Sequence, residues 1–231
     1  MDYYKKVLST DLTIPEDRNL YSTTEYWMLV SFLLNYYDNK NFFNKSKIIL
    51  PNLTYPFISW INSHVFSSWN LIEFGSGDST QYFASLFNRV ISFETNVKYF
   101  DNITKRNLTN VDIQLVSKSE LEELDVTFEL SDNTVIIIDS ACNRFKLTKN
   151  LILKKNPNII VLDNSDNYRN TCSLLNSLHY VEIPFWGLKQ GEQFESCTSV
   201  FIRDFSKHPT PKMYRSCEHR TIPNNLWDKN I

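Results

Sequence analysis

Glycine is rare in this chain, and half of it lies in a single turn. Only four of the 231 residues are glycine, and two of them, Gly75 and Gly77, follow the apolar run Asn70–Phe74. Glycine adopts backbone conformations that other residues avoid, and it lets a ligand approach the bare backbone. A strand that leads through such a turn into a helix is typical of nucleotide-type ligand sites at the carboxyl end of a parallel strand. The sequence therefore predicts an α/β protein with a ligand site after its first sheet strand.

The bulk composition excludes several classes of function. Lys and Arg together number 24 and Asp and Glu 26, a net charge of −2, so no general attraction to nucleic acid or to an anionic membrane is expected. No apolar run approaches the roughly 20 residues of a membrane-spanning helix, and the amino terminus lacks the apolar core of a signal peptide. The four cysteines show no Cys-x-x-Cys spacing, which favours reduced thiols. These features predict a cytoplasmic protein without nucleic-acid or membrane partners.

Apolar strands alternate with amphipathic helices through the middle of the chain. The predicted strands are residues 70–74, 90–94, 111–116, 134–139, 158–163, 180–186 and 198–203. The predicted helices include residues 144–155 and residues 170–178, and the second of these carries Leu174, Leu175 and Leu178 on its apolar face. The fourth strand is apolar up to its final aspartate, as a central parallel strand should be. The last two strands are joined without a helix, which favours an antiparallel pair. This pattern predicts a doubly wound α/β fold, mostly parallel, with one reversed strand.

Three parts are predicted along the chain. Residues 1–68 form an N-terminal helical prefix packed on the core, with a capping box at residues 22–25. A second helix in this prefix starts near Pro56 and is expected to bury Phe57, Ile58, Ile61 and Val65. Residues 69–204 form the ligand-binding domain. Residues 205–231, rich in proline, asparagine and charge, form a C-terminal arm over the surface. The prefix and its aromatic residues are compatible with a homodimer.

A glutamate follows the glycine turn at the distance expected of a ribose-binding acid. Glu94 ends the second predicted strand, about 20 residues after the turn, where a carboxylate can accept both ribose hydroxyls of an adenosine. The third glycine of a dinucleotide-binding fingerprint is replaced by Thr80. Glu73, at the end of the first strand, adds a negative charge that suits a cationic ligand better than a pyrophosphate.

These residues resemble the motifs of class I S-adenosylmethionine-dependent methyltransferases. The run Glu73-Phe-Gly-Ser-Gly-Asp-Ser-Thr80 is similar to their first motif, and Ile91-Ser-Phe-Glu94 to their second. The resemblance implies a Rossmann-like, seven-stranded sheet of order 3-2-1-4-5-7-6 with strand 7 antiparallel. It also implies S-adenosyl-L-methionine as the cofactor, bound at its methionine end by the glycine turn and at its ribose by Glu94. The implied cofactor-binding residues are Glu73, Gly75, Gly77, Asp78, Ser79, Thr80, Glu94 and Asp139.

A second group of polar residues ends the fourth and fifth predicted strands. Asp139 ends one strand, and Asp163 and Asn164 end the next, so these side chains are expected to meet in one crevice. Two carboxylates and an amide oxygen suit Mg²⁺, and a metal there could lower the pKa of a substrate hydroxyl. Two alternatives stay open. Asp163 or Asp166 could act as a base without metal, or these residues could only cap a turn.

The same residues resemble the metal site of catechol-type O-methyltransferases, with Asp139, Asp163 and Asn164 at the matching positions. That group has a lysine as general base three residues after the first aspartate, whereas this chain has Cys142 there, with Arg144 following in the expected place. The fourth strand ends in Asp-Ser-Ala rather than in the Asp/Asn-Pro-Pro-aromatic motif of amino-methyltransferases. Oxygen is therefore favoured over nitrogen as the methyl acceptor.

The predicted function is an O-methyltransferase that acts on a hydroxyl of a small molecule or of a sugar or glycan. The loop between the last two strands emerges beside the crevice, where its aromatic residues could stack on a substrate ring or simply pack on the core. The catalytic candidates are Asp139, Asp163 and Asp166. The substrate-binding candidates are Trp186, Gln193 and Arg144. Two rival functions stay open: an NAD(P)-dependent oxidoreductase on the same sheet, and a non-catalytic cofactor-binding partner module.

Overall fold

The structure is a computed structural model that describes residues 50–189 and 195–212. The capping box predicted at residues 22–25, and most of the predicted prefix and arm, lie outside these ranges. The described strands are β1 (Asn70–Phe74), β2 (Arg89–Glu94), β3 (Val111–Leu115), β4 (Thr134–Ile138), β5 (Ile159–Leu162), β6 (Val181–Gly187) and β7 (Ser196–Ile202). The described helices are α1 (Tyr55–Asn62), α2 (Asp78–Ala84), α3 (Val97–Thr104), α4 (Lys118–Glu123), α5 (Arg144–Lys155) and α6 (Arg169–Ser177).

The strands form one mixed sheet. Within the described ranges its seven strands follow the order β3-β2-β1-β4-β5-β7-β6. The pairs among β1 to β5 are parallel, and β7 runs antiparallel to both β5 and β6. The predicted fold class is thereby confirmed, including the strand order and the single reversed strand.

Two apolar clusters cover the two faces of this sheet. Neighbouring residues of a strand point to opposite faces, and accordingly Leu71 belongs to one cluster and Ile72 to the other. Helices α1 and α2 supply the first cluster with Phe57, Ile58, Ile61 and Phe83. Helices α4, α5 and α6 supply the second with Leu121, Leu147, Leu151 and Leu175. Because both faces are covered, all five residues of β4 are buried.

Three local expectations were wrong. Helix α4 was missed, although Ser117 and Glu120 form a reciprocal capping box at its start, and Ser-x-x-Glu is a helix-start signal. Val65 was expected to be buried by the second helix, but α1 ends at Asn62 and Val65 is exposed. Leu178 follows the end of α6 and is exposed as well.

The described ends of the predicted prefix and arm lie against the sheet domain and against each other. The backbone N–H of Tyr55, at the start of α1, donates to the carbonyl of Leu188 just after β6 at 3.0 Å. His64 forms a β-bridge with Pro211, and the N–H of Val65 donates to the carbonyl of Thr210 at 2.9 Å. The division into three parts stays a prediction. No helix in the ranges that the structure describes is long and apolar enough to cross a membrane.

Candidate functional site

The glycine turn is fixed by the two strands on either side of β1. The N–H of Gly75 donates to the carbonyl of Phe93 at 2.8 Å, and its φ of +102° lies in the region that favours glycine. A Cβ at Gly75 would lie 2.6 Å from the carbonyl oxygen of Asp139. Gly77 differs, because its backbone is extended and a Cβ there would meet no atom within 4 Å. Gly75 is therefore required by the backbone, whereas Gly77 borders open space.

Beneath this turn, Glu73 is buried among three hydroxyl groups. The hydroxyl of Ser79 donates to its Oε1 at 2.6 Å, and those of Thr80 and Ser92 donate to its Oε2 at 2.6 and 2.7 Å. Burial removes the water that would stabilise the charge and raises the pKa of Glu73 to about 7, although the three hydroxyl donors oppose the rise. The carboxyl is thus an uncommon feature of a strand end: it titrates near neutral pH, directly below the predicted ligand site.

The raised pKa of Glu73 makes the stability of the protein depend on pH. Below pH 4.5, the ordinary pKa of this group, the carboxyl is protonated in both folded and unfolded chains and has no effect. As the pH rises to about 7, the unfolded chain releases the proton first, so stability falls and then stays low. We expect Glu73→Gln to remove this loss, which amounts to roughly 3 kcal/mol at about 1.4 kcal/mol per pKa unit.

Chemical denaturation at pH 5 and pH 8 measures this effect. The free energy of unfolding of Glu73→Gln relative to that of the native protein should rise between the two pH values. Glu129→Gln, which changes an exposed carboxyl, is the matched control and should show no such rise. An equal pH dependence in the native protein and in Glu73→Gln would contradict the assignment.

Glu94 joins the end of β2 to the glycine turn. Its Oε2 accepts the N–H of Ser76 at 2.6 Å, and its Oε1 accepts those of Thr95 and Asn96 at 2.8 and 2.7 Å. A carboxylate offers about four acceptor positions, so Oε2 keeps one for a further donor. The side chain that was predicted to bind a ribose therefore also orders the turn.

Four charged side chains converge at the carboxyl ends of β4 and β5. The side chains of Asp163 and Lys189 are only 1% and 2% exposed, and Oδ2 of Asp163 lies 2.5 Å from Nζ of Lys189. The other oxygen of Asp163, Oδ1, accepts the Thr198 hydroxyl at 2.7 Å. Asp139 lies beside them with 34% of its side chain exposed, and its Oδ1 accepts from Arg144 at 2.9 Å. Burial and the charge of Asp163 raise the pKa of Asp139, against the opposing charges of Arg144 and Lys189. Of the two acids, Asp139 is the one that solvent reaches.

Arg144 is bound by the protein on several sides. Besides Asp139, it donates to the backbone carbonyls of Ser140 at 3.0 Å and Asp163 at 2.6 Å, and its guanidinium carbon lies 4.5 Å from the centre of the Tyr168 ring. Its side chain is 7% exposed. This residue, predicted to contact substrate, thus holds the ends of β4 and β5 together and orients Asp139.

The described residues do not fit the predicted Mg²⁺ site. Both oxygens of Asp163 are bound, one of them by the ammonium group of Lys189, and Asp139 is bound by Arg144. Across residues 50–189 and 195–212, no group of three or more His, Cys, Asp or Glu side chains is placed to hold a metal ion. A divalent cation would have to displace cations that the chain itself supplies. Burial also raises the pKa of the Cys142 thiol, which disfavours a thiolate at the position where the related enzymes have a lysine.

Three further predicted residues, Asp78, Asp166 and Trp186, lie at or near the same edge of the sheet. Asp78 is exposed at the start of α2 and pairs with Arg106 at 2.6 Å. Asp166 accepts the N–H of Cys197 at 3.0 Å and so anchors the start of β7. Trp186, near the end of β6, is 56% exposed. Gln193 lies outside the described residues.

Two residues of the site were missed by the sequence analysis. Ser92, in the middle of β2, contacts Glu73 because the two are paired in register across β1 and β2. Lys189 reaches Asp163 from 26 residues further along the chain. A single polar residue inside an apolar strand was the available signal for Ser92. A lysine three residues after a predicted strand gives no comparable signal for burial, since lysine is mostly exposed.

No family model matches the sequence, and no curated protein does. Solved structures match the fold at low identity. TrmK of M. capricolum, solved with S-adenosyl-homocysteine, is 12% identical with a TM-score of 0.50, over 67% of this chain and 70% of that one. A dimethyladenosine transferase from Plasmodium falciparum is 16% identical with a TM-score of 0.45, over 68% and 65%. N-methyltransferase NodS from Bradyrhizobium japonicum WM9 is 13% identical with a TM-score of 0.45, over 66% and 90%.

At 12% identity the likeness to TrmK bears on the fold alone. The sheet order and the reversed β7 are those of the predicted fold. The chain has the seven-stranded, Rossmann-like fold of class I methyltransferases.

Proposed function

We propose that this protein is a methyltransferase that uses S-adenosyl-L-methionine and transfers the methyl group to a hydroxyl oxygen. One observation carries the proposal: the Gly75 turn, the buried Glu73 and the ribose-type acid Glu94 meet at the carboxyl end of β1 and β2, beside the solvent-reached carboxyl of Asp139. A cofactor site and a proton acceptor then share one edge of the sheet, as ligand sites of such folds do.

The electrostatics of the turn favour this cofactor over a nicotinamide dinucleotide. A pyrophosphate would bring two negative charges to a turn that is built over Glu73 and Glu94. The Thr80 side chain, at the position of the third fingerprint glycine, is committed to Glu73 at 2.6 Å. A ligand with a sulfonium and an ammonium group instead gains from these acids, and it would favour the ionised form of Glu73.

Asp139 is the proposed proton acceptor. S-adenosyl-L-methionine, when bound, supplies a methyl group that is activated by its positively charged sulfur. Asp139 would take up the proton that the acceptor hydroxyl loses when its oxygen receives this methyl group from the sulfur. The raised pKa of Asp139 makes it a better base than an ordinary aspartate, and Arg144 fixes its orientation. Both carboxylate oxygens of Asp163 are bound, one by Lys189 and one by Thr198, so this residue has a structural role in the scheme.

The acceptor is proposed to be a small molecule or a carbohydrate. Trp186 offers an exposed aromatic face near the end of β6, and such a ring stacks well on a sugar or an aromatic ring. The absence of a Pro-Pro-aromatic segment after Asp139 supports oxygen as the acceptor atom. No metal takes part in this scheme.

Isothermal titration with S-adenosyl-homocysteine tests the cofactor assignment. Micromolar binding is expected for the full chain at pH 8, and NADH in a parallel titration is expected to give no heat of binding. The reverse result, binding of NADH alone, would replace the proposal by the oxidoreductase alternative. Binding of neither would count against both cofactor assignments.

A second arm of the same experiment addresses catalysis. With a panel of hydroxyl-bearing sugars and phenols, release of S-adenosyl-homocysteine from S-adenosyl-L-methionine reports transfer. Asp139→Asn should lower this rate by about 100-fold or more, as expected for loss of a general base, with S-adenosyl-homocysteine affinity within about twofold of the native value. Full activity in Asp139→Asn would show that another group takes the proton.

A further inference from the structure

A lysine ammonium group lies among the acids at the end of β5. Lys189 contacts Oδ2 of Asp163 at 2.5 Å, and both side chains are almost completely buried. The other oxygen, Oδ1, is bound by the Thr198 hydroxyl. The positive charge also acts on Asp139, where it opposes the rise in the pKa of that carboxyl. The ammonium group of Lys189 therefore contacts one of the two acids to which a divalent metal would have to bind, and its charge acts on the other.

The backbone that leads up to Lys189 is held in place by contacts with the start of α1. The preceding carbonyl, of Leu188, accepts the N–H of Tyr55 at 3.0 Å. One residue earlier, Gly187 lies so close to Pro56 that an added Cβ would be 2.7 Å from its ring. Thr54 continues this contact, since its hydroxyl donates to the carbonyl of Phe185 at 2.9 Å. The start of α1 therefore contacts the end of β6 at several points. These contacts fix the position of the backbone from which Lys189 reaches Asp163.

We infer that the ammonium group of Lys189 is the resident cation at the acceptor end of the site, in the position that a divalent metal would need. A lysine ion pair and a metal at Asp163 exclude each other, because the carboxylate cannot give Oδ2 to both. Methyl transfer by this protein should therefore be independent of metal, and this consequence rests on the proposed function. The inference that Lys189 occupies the cation position does not rest on the proposed function.

Titration with Mn²⁺ alone tests the occupation directly. Free Mn²⁺ is followed by electron paramagnetic resonance in the presence of the native full chain. No binding tighter than about 1 mM is expected. Binding in the micromolar range that Asp139→Asn weakens tenfold or more would overturn the inference, because it would show a metal site at these acids in spite of Lys189.

Removal of the ammonium should uncover a cation site. Lys189→Met leaves Asp139 and Asp163 without that charge, so Mn²⁺ is expected to raise the Tm of this variant. The Tm of the double variant, in which Asp163→Asn accompanies Lys189→Met, should not change with Mn²⁺. If Lys189→Met folds poorly by itself, its refolding yield with and without Mn²⁺ gives the same comparison. A Lys189→Met protein that Mn²⁺ neither stabilises nor helps to refold would show that Lys189 does not occupy a cation position.

The metal-independent consequence is read from cofactor binding. The affinity of the native protein for S-adenosyl-homocysteine should agree within twofold in EDTA and in 5 mM MgCl₂, a concentration on the order of those used to saturate weak Mg²⁺ sites. A magnesium-dependent gain that disappears in Asp139→Asn would overturn it. Failure to bind S-adenosyl-homocysteine in either buffer would count against the proposed function instead, and the Mn²⁺ titrations would still decide the occupation by Lys189.

Discussion

Lys189→Met is expected to lower the free energy of unfolding by about 3–5 kcal/mol, because it leaves the buried carboxylate of Asp163 without its counter-charge. The ion pair is 2.5 Å long, with its two side chains 2% and 1% exposed. Without added Mn²⁺ no cation takes the place of the lost ammonium, so Asp163 must either remain charged at a high cost or take up a proton. Urea denaturation at pH 7 measures the loss.

The chain contains a matched control for this prediction. Lys146 and Glu123 form an ion pair of the same 2.5 Å length, but their side chains are 44% and 57% exposed. Lys146→Met should cost no more than about 1 kcal/mol, as exposed pairs do. Burial is thus the variable that separates the two lysines, since length and chemistry are equal.

A double variant separates the charge from the packing of the lysine. When Asp163→Asn accompanies Lys189→Met, no uncompensated charge is left and Thr198 keeps a partner oxygen. The double variant should therefore be more stable than Lys189→Met alone, by about 1–3 kcal/mol. A double variant less stable than the single one would show that Lys189 stabilises the fold through its carbon chain and not through Asp163.

The sequence predicted the sheet well because the sheet depends on local pattern. The strand Asn70–Phe74 and the helix Arg144–Lys155 have the predicted ends, since an apolar run bounded by turn residues, and an asparagine cap at Asn143, are signals that a short segment carries by itself. The glycine turn was found in the same way. Gly75 has a positive φ, a conformation that favours glycine, so the glycine in the sequence is itself a signal of the turn.

The chemistry at the acceptor end could not be predicted in this way. Asp139 and Asp163 were expected to meet, because strand ends converge, and Asp139 N–H and Asp163 N–H do continue the backbone ladder from Phe74 and Ile138. Which cation would join them depends on the path of the chain after β6. Hard oxygen ligands predicted a metal; the fold instead brings Lys189 to Asp163. Sequence pattern gives the acids of such a site more readily than their distant counter-charges.

The two glycines of the turn are expected to respond to alanine in opposite ways. Gly75→Ala should cost roughly 3–5 kcal/mol of stability, because it combines a strained positive φ with overpacking. The new Cβ would lie 2.6 Å from the carbonyl oxygen and 2.8 Å from the carbonyl carbon of Asp139. These are backbone atoms of the neighbouring strand end, so the clash can be relieved only by moving β1 away from β4.

Gly77→Ala should leave stability within about 1 kcal/mol of the native value, since its backbone is extended and alanine reduces the entropy of the unfolded chain. Its Cβ would enter space in which no protein atom lies within 4 Å, next to the turn over which the cofactor is proposed to lie. We therefore expect its affinity for S-adenosyl-homocysteine to fall at least tenfold, about 1.4 kcal/mol, with an unchanged Tm in the absence of ligand. Calorimetry measures the affinity of both variants for S-adenosyl-homocysteine, and thermal unfolding measures their stability.

A Gly75→Ala protein of native stability would contradict the geometry of the turn. A Gly77→Ala protein that binds as tightly as the native chain would mean that the cofactor does not approach the backbone there, and the proposed function would lose its carrying observation.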